Sequence, residues 1–96
     1  MSVVKEVISV GDIVQSLAGR DKNVYFLVLS VDGEHVTLSD GKKRKVDSPK
    51  RKKLKHIKKV SSVSKELIEH ILGGSPIGNV RIAKAVKTAT QKIQED

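Results

Sequence analysis

The stretch VYFLVLSVDGEHVTLSDG, residues 24–41, decides the fold class of this chain. Val24–Val31 is dominated by β-branched, aromatic and aliphatic residues, which suit a pleated, buried surface. Asp32–Gly33 follows, and glycine enters a left-handed turn conformation without a Cβ clash. The next residues alternate, with Val36 and Leu38 facing one way and His35 and Thr37 the other. Asp40–Gly41 marks a second reversal. Two strands joined by a tight turn are therefore expected, in an antiparallel setting.

Working outward, the short run from Ile13 to Leu17 lies between Gly11–Asp12 and Gly19 and reads as the preceding strand. Downstream, Lys43–Val46 is expected as a fourth strand. Pro49 interrupts it, and Leu54–Ile57 resumes as a short fifth. Several short strands with tight turns, within about fifty residues, imply a small and strongly curved barrel. The strand at 24–31 adds a constraint. Val24, Phe26 and Val28 would line one face, and Tyr25, Leu27, Leu29 and Val31 the other. A half-exposed strand alternates polar with apolar, so this one needs cover on both sides.

The C-terminal third is the natural cover, because its pattern is helical. Ser64 is placed to cap a helix over Lys65–Leu72, which Gly73–Gly74 would end. Asn79 reads as the cap of a second helix, with Ile82, Val86, Ala89 and Ile93 on one stripe. Arg81, Lys84, Lys87 and Lys92 decorate that helix and read as a solvated face. The expected fold class is α+β, mostly β with a helical tail. Residues 1–60 would form the barrel and 61–96 a two-helix extension packed on it.

Charge is concentrated. Lys42–Lys59, KKRKVDSPKRKKLKHIKK, holds eleven Lys or Arg against one acid, Asp47, in a protein whose net charge is +8. That segment is +10, so the remainder is −2. A field built this way favours a polyanion, against the alternatives of a solubilising segment or a patch for anionic membrane. With no cysteine there is no disulfide, thiolate metal site or cysteine nucleophile. The N-terminal sequence lacks a basic leader followed by an apolar run, and no stretch is apolar enough to span a bilayer. The expectation is a cytoplasmic protein.

Catalysis finds little support. His35, His56 and His70 are dispersed, with no paired-histidine or carboxylate pattern for a metal, and no cofactor is expected. Asp21, between Arg20 and Lys22, reads as a turn-shaping residue. The chain is expected not to be an enzyme.

VGDIV at 10–14, AGRDK at 18–22, the apolar strand at 24–31, DGKKRKV at 40–46 and SPKRKKLKHI at 48–57 together resemble a KOW motif. The setting is similar to that in the KOW-type large-subunit ribosomal proteins of archaea and eukaryotes and their small bacterial relatives. The likeness covers roughly residues 8–59, and NVRIAKAV at 79–86 resembles the tail of the bacterial members. It implies an SH3-like barrel that binds RNA, usually ribosomal RNA, with the Gly19–Lys22 loop at the RNA-facing end. Asn23 departs from the glycine common in the family. Asn tolerates a left-handed conformation, so the loop is expected to survive.

The chemistry bears on the type of contact. Tyr25 and Phe26 are the only aromatic residues, too few for a base-stacking platform. Lysine, a point charge suited to phosphate, outnumbers the bidentate arginine fifteen to four. Backbone and shape recognition of folded RNA is the expectation. The expected contacts are Arg20, Lys22, Lys42, Lys43, Arg44, Lys45, Lys50, Arg51, Lys52, Lys53, Lys55, His56, Lys58 and Lys59. Structured RNA, with ribosomal proteins as possible neighbours, is the expected partner, and neither a membrane nor a small-molecule substrate is. A KOW module contacting polymerase or nascent RNA in transcription is the alternative.

Overall fold

The computed structural model describes residues 7–74 and 76–94, the last two by backbone alone, so the expected Ile93 contact lies outside the described side chains. Five strands, β1 (Asp12–Ser16), β2 (Tyr25–Asp32), β3 (His35–Ser39), β4 (Lys50–Lys53) and β5 (Ile57–Ser62), form one antiparallel sheet in the order β4-β3-β2-β1-β5. A single 3-10 turn, Leu54–His56, separates β4 from β5, and helices α1 (Lys65–Leu72) and α2 (Asn79–Gln94) follow. Among the described residues β4 and β5 are sheet edges that do not pair with each other.

The hairpin at 24–41 forms as its composition demands. Asp32 pairs with His35 across Gly33–Glu34, and Gly33 has φ +60° at the first turn position. Asn23 has φ +73°, the left-handed conformation that its type tolerates. Asn23→Gly is expected to be neutral or mildly stabilising, whereas Asn23→Val should cost about 1–2 kcal/mol. Equal urea midpoints for the two variants would contradict a requirement for positive φ.

The fourth and fifth strands lie elsewhere than expected. Residues 41–49 are a loop, because side chains satisfy its backbone groups. Asp40 Oδ1 accepts from the amides of Lys42 and Arg44, both at 2.9 Å, and Ser39 Oγ donates to the Arg44 carbonyl at 2.6 Å. Val46 N–H donates to Asn79 Oδ1 at 2.7 Å, so Asn79 secures this loop instead of capping its own helix. The KRKK run takes the strand position, and Leu54–His56 is the 3-10 turn. β5 continues to Ser62, two residues past the expected boundary at 60/61.

The sheet is apolar on both faces. Val14, Phe26, Val28, Val36, Leu38 and Ile57 make one buried cluster, closed by Ile8 and Leu54. On the opposite face Ile13 and Leu27 meet Ile82 and Ala89 of α2, ringed by Tyr25, Leu29, Val60, Ile71 and Val86. A bulge between Val28 and Ser30 shifts the alternation of β2 by one. Val31 therefore pairs with Val36 on the first face, not beside Leu29 as strict alternation requires. Val24 precedes the strand and is exposed.

Ser64 caps α1 as its sequence suggests, accepting from the Leu67 amide at 3.3 Å. Two glycines set how closely the helices approach. A Cβ at Gly11 would run into Ile68 of α1, and one at Gly41 into the Asn79 carbonyl and Ala83 amide of α2. Among the described residues no helix is long and apolar enough to cross a membrane.

Candidate nucleic-acid interface

Antiparallel register brings two loops to one end of the sheet. Leu27 of β2 lies opposite both Ile13 and Ser39, and Leu38 lies opposite Lys50. The exits of β1 and β3 and the entries of β2 and β4 therefore share an end. The loops there, 17–24 and 40–49, carry Arg20, Lys22, Lys42, Lys43, Arg44 and Lys45, all exposed. The opposite end holds Asp32 and Glu34 together with Lys53, so its charge is mixed where the loop end is strongly positive.

Strand alternation divides the bases of β4. Lys50 and Lys52 lie opposite Leu38 and Val36 and so share their inward face. Arg51 and Lys53 lie opposite Thr37 and His35 and face out, exposed. The inward pair meets Asp21, which reaches across from the 17–24 loop. Lys52 Nζ donates to Asp21 Oδ1 at 2.6 Å and to the Ala18 carbonyl at 2.8 Å, with its side chain only 8% exposed. Lys50 Nζ stands 2.6 Å from Oδ2, an ion pair without the alignment of a hydrogen bond. Ser16 Oγ donates to Oδ1 at 2.7 Å.

Burial by itself raises the Asp21 pKa. The ammonium groups of Lys50 and Lys52 and the Ser16 hydroxyl outweigh it and hold the carboxyl well below the usual carboxylate range. Asp21 is thus an ionised pin that ties the loop bearing Arg20 and Lys22 to the edge strand. Two bases of the expected set, Lys50 and Lys52, are committed to this internal contact.

The other expected residues scatter. Lys59 is half-buried with Nζ 3.6 Å from Asp12 Oδ1, and Arg51 lies 3.8 Å from Asp32 in a solvated pair. Lys55 is exposed on the 3-10 turn. His56 is partly buried, and its carbonyl accepts from the Leu17 amide at 2.8 Å. Lys58 is exposed near Gln15 on β5, and Lys53 lies at the far end beside His35. The expected set is therefore one cluster of six loop cations, an internal pair, and dispersed surface bases.

Sequence reasoning treated Asp21 as a turn former and missed its reach to β4. Its only local signal is an acid between two bases, whereas its partners lie about thirty residues on. Both aromatic rings are occupied in packing: Phe26 is in the first cluster and Tyr25 sits against α2. Among the described residues, no group of three or more His, Cys, Asp or Glu could hold a metal ion. No protein-family model matches this chain, and no curated protein does.

Proposed function

We propose that this protein binds structured RNA in the manner of the ribosomal KOW proteins, as a component or associate of the ribosome in translation. The observation that carries the reading is the convergence of six exposed cations from two separate loops on one end of the sheet. The internal fastening of Asp21 and Asp40 supports it, because two of the three acids in these loops serve the loops' own geometry and leave the exposed Asp47 against six cations. An SH3-like barrel is the finer architecture that we propose. The strand order β4-β3-β2-β1-β5 and the 3-10 turn between β4 and β5 support it.

Lysine-rich loops with no free aromatic ring favour phosphate and shape over base stacking. Function here is binding rather than catalysis, in the cytoplasm, with ribosomal RNA as the favoured target and ribosomal proteins as neighbours. The tagged protein is expected to co-sediment with the large subunit or intact ribosomes and to leave them in high salt. Six phosphate contacts would give a slope of log affinity against log salt of about −4 to −5. A slope near zero would remove the phosphate mechanism. Recovery of the protein only with polymerase would replace the ribosomal reading with the transcriptional one.

A further inference from the structure

The described part of α2 carries four cations, Arg81, Lys84, Lys87 and Lys92, and no acid. All four are exposed, and none takes part in the ion pairs found among the described residues. At 3.6 residues per turn they fall within an arc of about 140°. Ile82, Val86 and Ala89 occupy the opposite, packed side. Val80, Thr88 and Gln91 fill the rest of the arc, so the strip is uninterrupted by negative charge.

A merely solvated helix face mixes signs, because Glu and Lys three or four residues apart support one another. This face does the reverse. Arg81 and Lys84, and Lys84 and Lys87, are like-charge neighbours at i,i+3, and Arg81 sits in the first turn where the helix dipole disfavours a cation. A local arrangement that opposes stability, without compensation among the described residues, points to an external anion.

The strip also joins the loop end. The Val46 amide bonds Asn79, and Gly41 lies against Asn79 and Ala83, so the loop carrying Lys42–Lys45 borders the first turn of α2. From there α2 crosses β2 toward the junction of β5 and α1. Its later residues Ala85, Thr88, Ala89 and Lys92 line an open groove of about 440 Å³ there with Ser61, Ser62, Ser64 and Leu67. Arg81 to Lys92 spans about 16 Å along the axis.

We propose that the exposed face of α2 is a second phosphate-binding track, continuous with the loop cations, that takes the backbone of a neighbouring segment of the same RNA. The inference rests on the RNA-binding reading above and extends the site to residues outside the basic segment. RNA is favoured over an acidic protein because the strip offers four exposed cations, three of them lysines, and no aromatic anchor, whereas protein interfaces are enriched in aromatics and depleted in Lys.

The test uses the full chain and a labelled RNA hairpin with a stem of about two helical turns. With loop and helix both engaged, the wild-type salt slope should be about −7 to −9. The quadruple variant R81Q/K84Q/K87Q/K92Q should lose about tenfold or more in affinity near physiological salt and fall by about 3 in slope magnitude. Its urea midpoint should be unchanged or higher, and the charge-keeping variant R81K/K84R/K87R/K92R should bind as wild type. Wild-type affinity and slope in the Gln variant, with binding weakened in K42Q/K43Q/R44Q/K45Q, would overturn the track and leave the RNA-binding reading standing. Failure of the wild type to bind the hairpin would instead overturn the reading itself. Binding of polyglutamate by the α2 face, with the hairpin unaffected by its loss, would overturn the track in favour of an acidic protein partner.

Discussion

Asp21→Ala is expected to destabilise the protein by about 3–5 kcal/mol, because it strands a largely buried ammonium, Lys52, without its carboxylate. Lys50 loses its partner at the same stroke. Lys52→Met should cost less, about 1–2 kcal/mol, since Asp21 retains Lys50 and Ser16. The asymmetry distinguishes a pin from a simple surface pair, where both truncations would fall within about 1 kcal/mol. Urea midpoints for the two variants and their combination measure it. Lys52→Met should also leave RNA affinity unchanged once folded, whereas neutralising Lys42–Lys45 should not.

The same contact fixes a pH dependence. The Asp21 pKa is depressed in the fold relative to its ordinary 3.8. A depressed carboxyl binds fewer protons folded than unfolded, so its stabilisation is complete above the unfolded value and is lost on acidification below it. Stability should decline progressively on acidification below about pH 5, and Asp21→Ala should show a shallower decline. Parallel acid profiles for wild type and variant would show that Asp21 does not carry this part of the transition.

The second large effect is expected at Ile82, which is fully buried between α2 and the sheet. Ile82→Ala should cost about 2–5 kcal/mol through lost burial and the cavity left behind. Val80, two positions away and 84% exposed, is the internal control, and Val80→Ala should change stability by no more than about 0.5 kcal/mol. A chain ending at Val63 should expose Ile13 and Leu27 and self-associate, which light scattering would detect. A monomeric fragment of unchanged stability would mean that α2 is not part of the core.

The strand at 25–32 was legible because a segment apolar on both faces has few other places to go, and the same property implied a cover. The Ser64 cap was legible because its cause lies within a few residues, and the left-handed Asn23 because it stands where the resembled family commonly has glycine. The fourth strand was not. KKRKV at 42–46 and KRKKL at 50–54 have nearly the same composition, so local propensity cannot choose between them. The choice falls to Asp40, which turns the first run into a loop, and to Asn79, which takes the Val46 amide that a ladder would have used.

The candidate interface divides the same way. Sequence alone determined the charge density of residues 42–59, the scarcity of aromatic rings and the amphipathic pattern of α2, since each is a property of composition or short period. Tertiary structure decided which charges are available. Pleating turns Lys50 and Lys52 inward, a desolvated ammonium needs an anion, and the carboxylate that meets Lys52 comes from thirty-one residues earlier in the chain. Antiparallel pairing then carries Arg20 and Lys22 to the same end as Lys42–Lys45. Such a juxtaposition depends on strand register, which no local window of sequence contains.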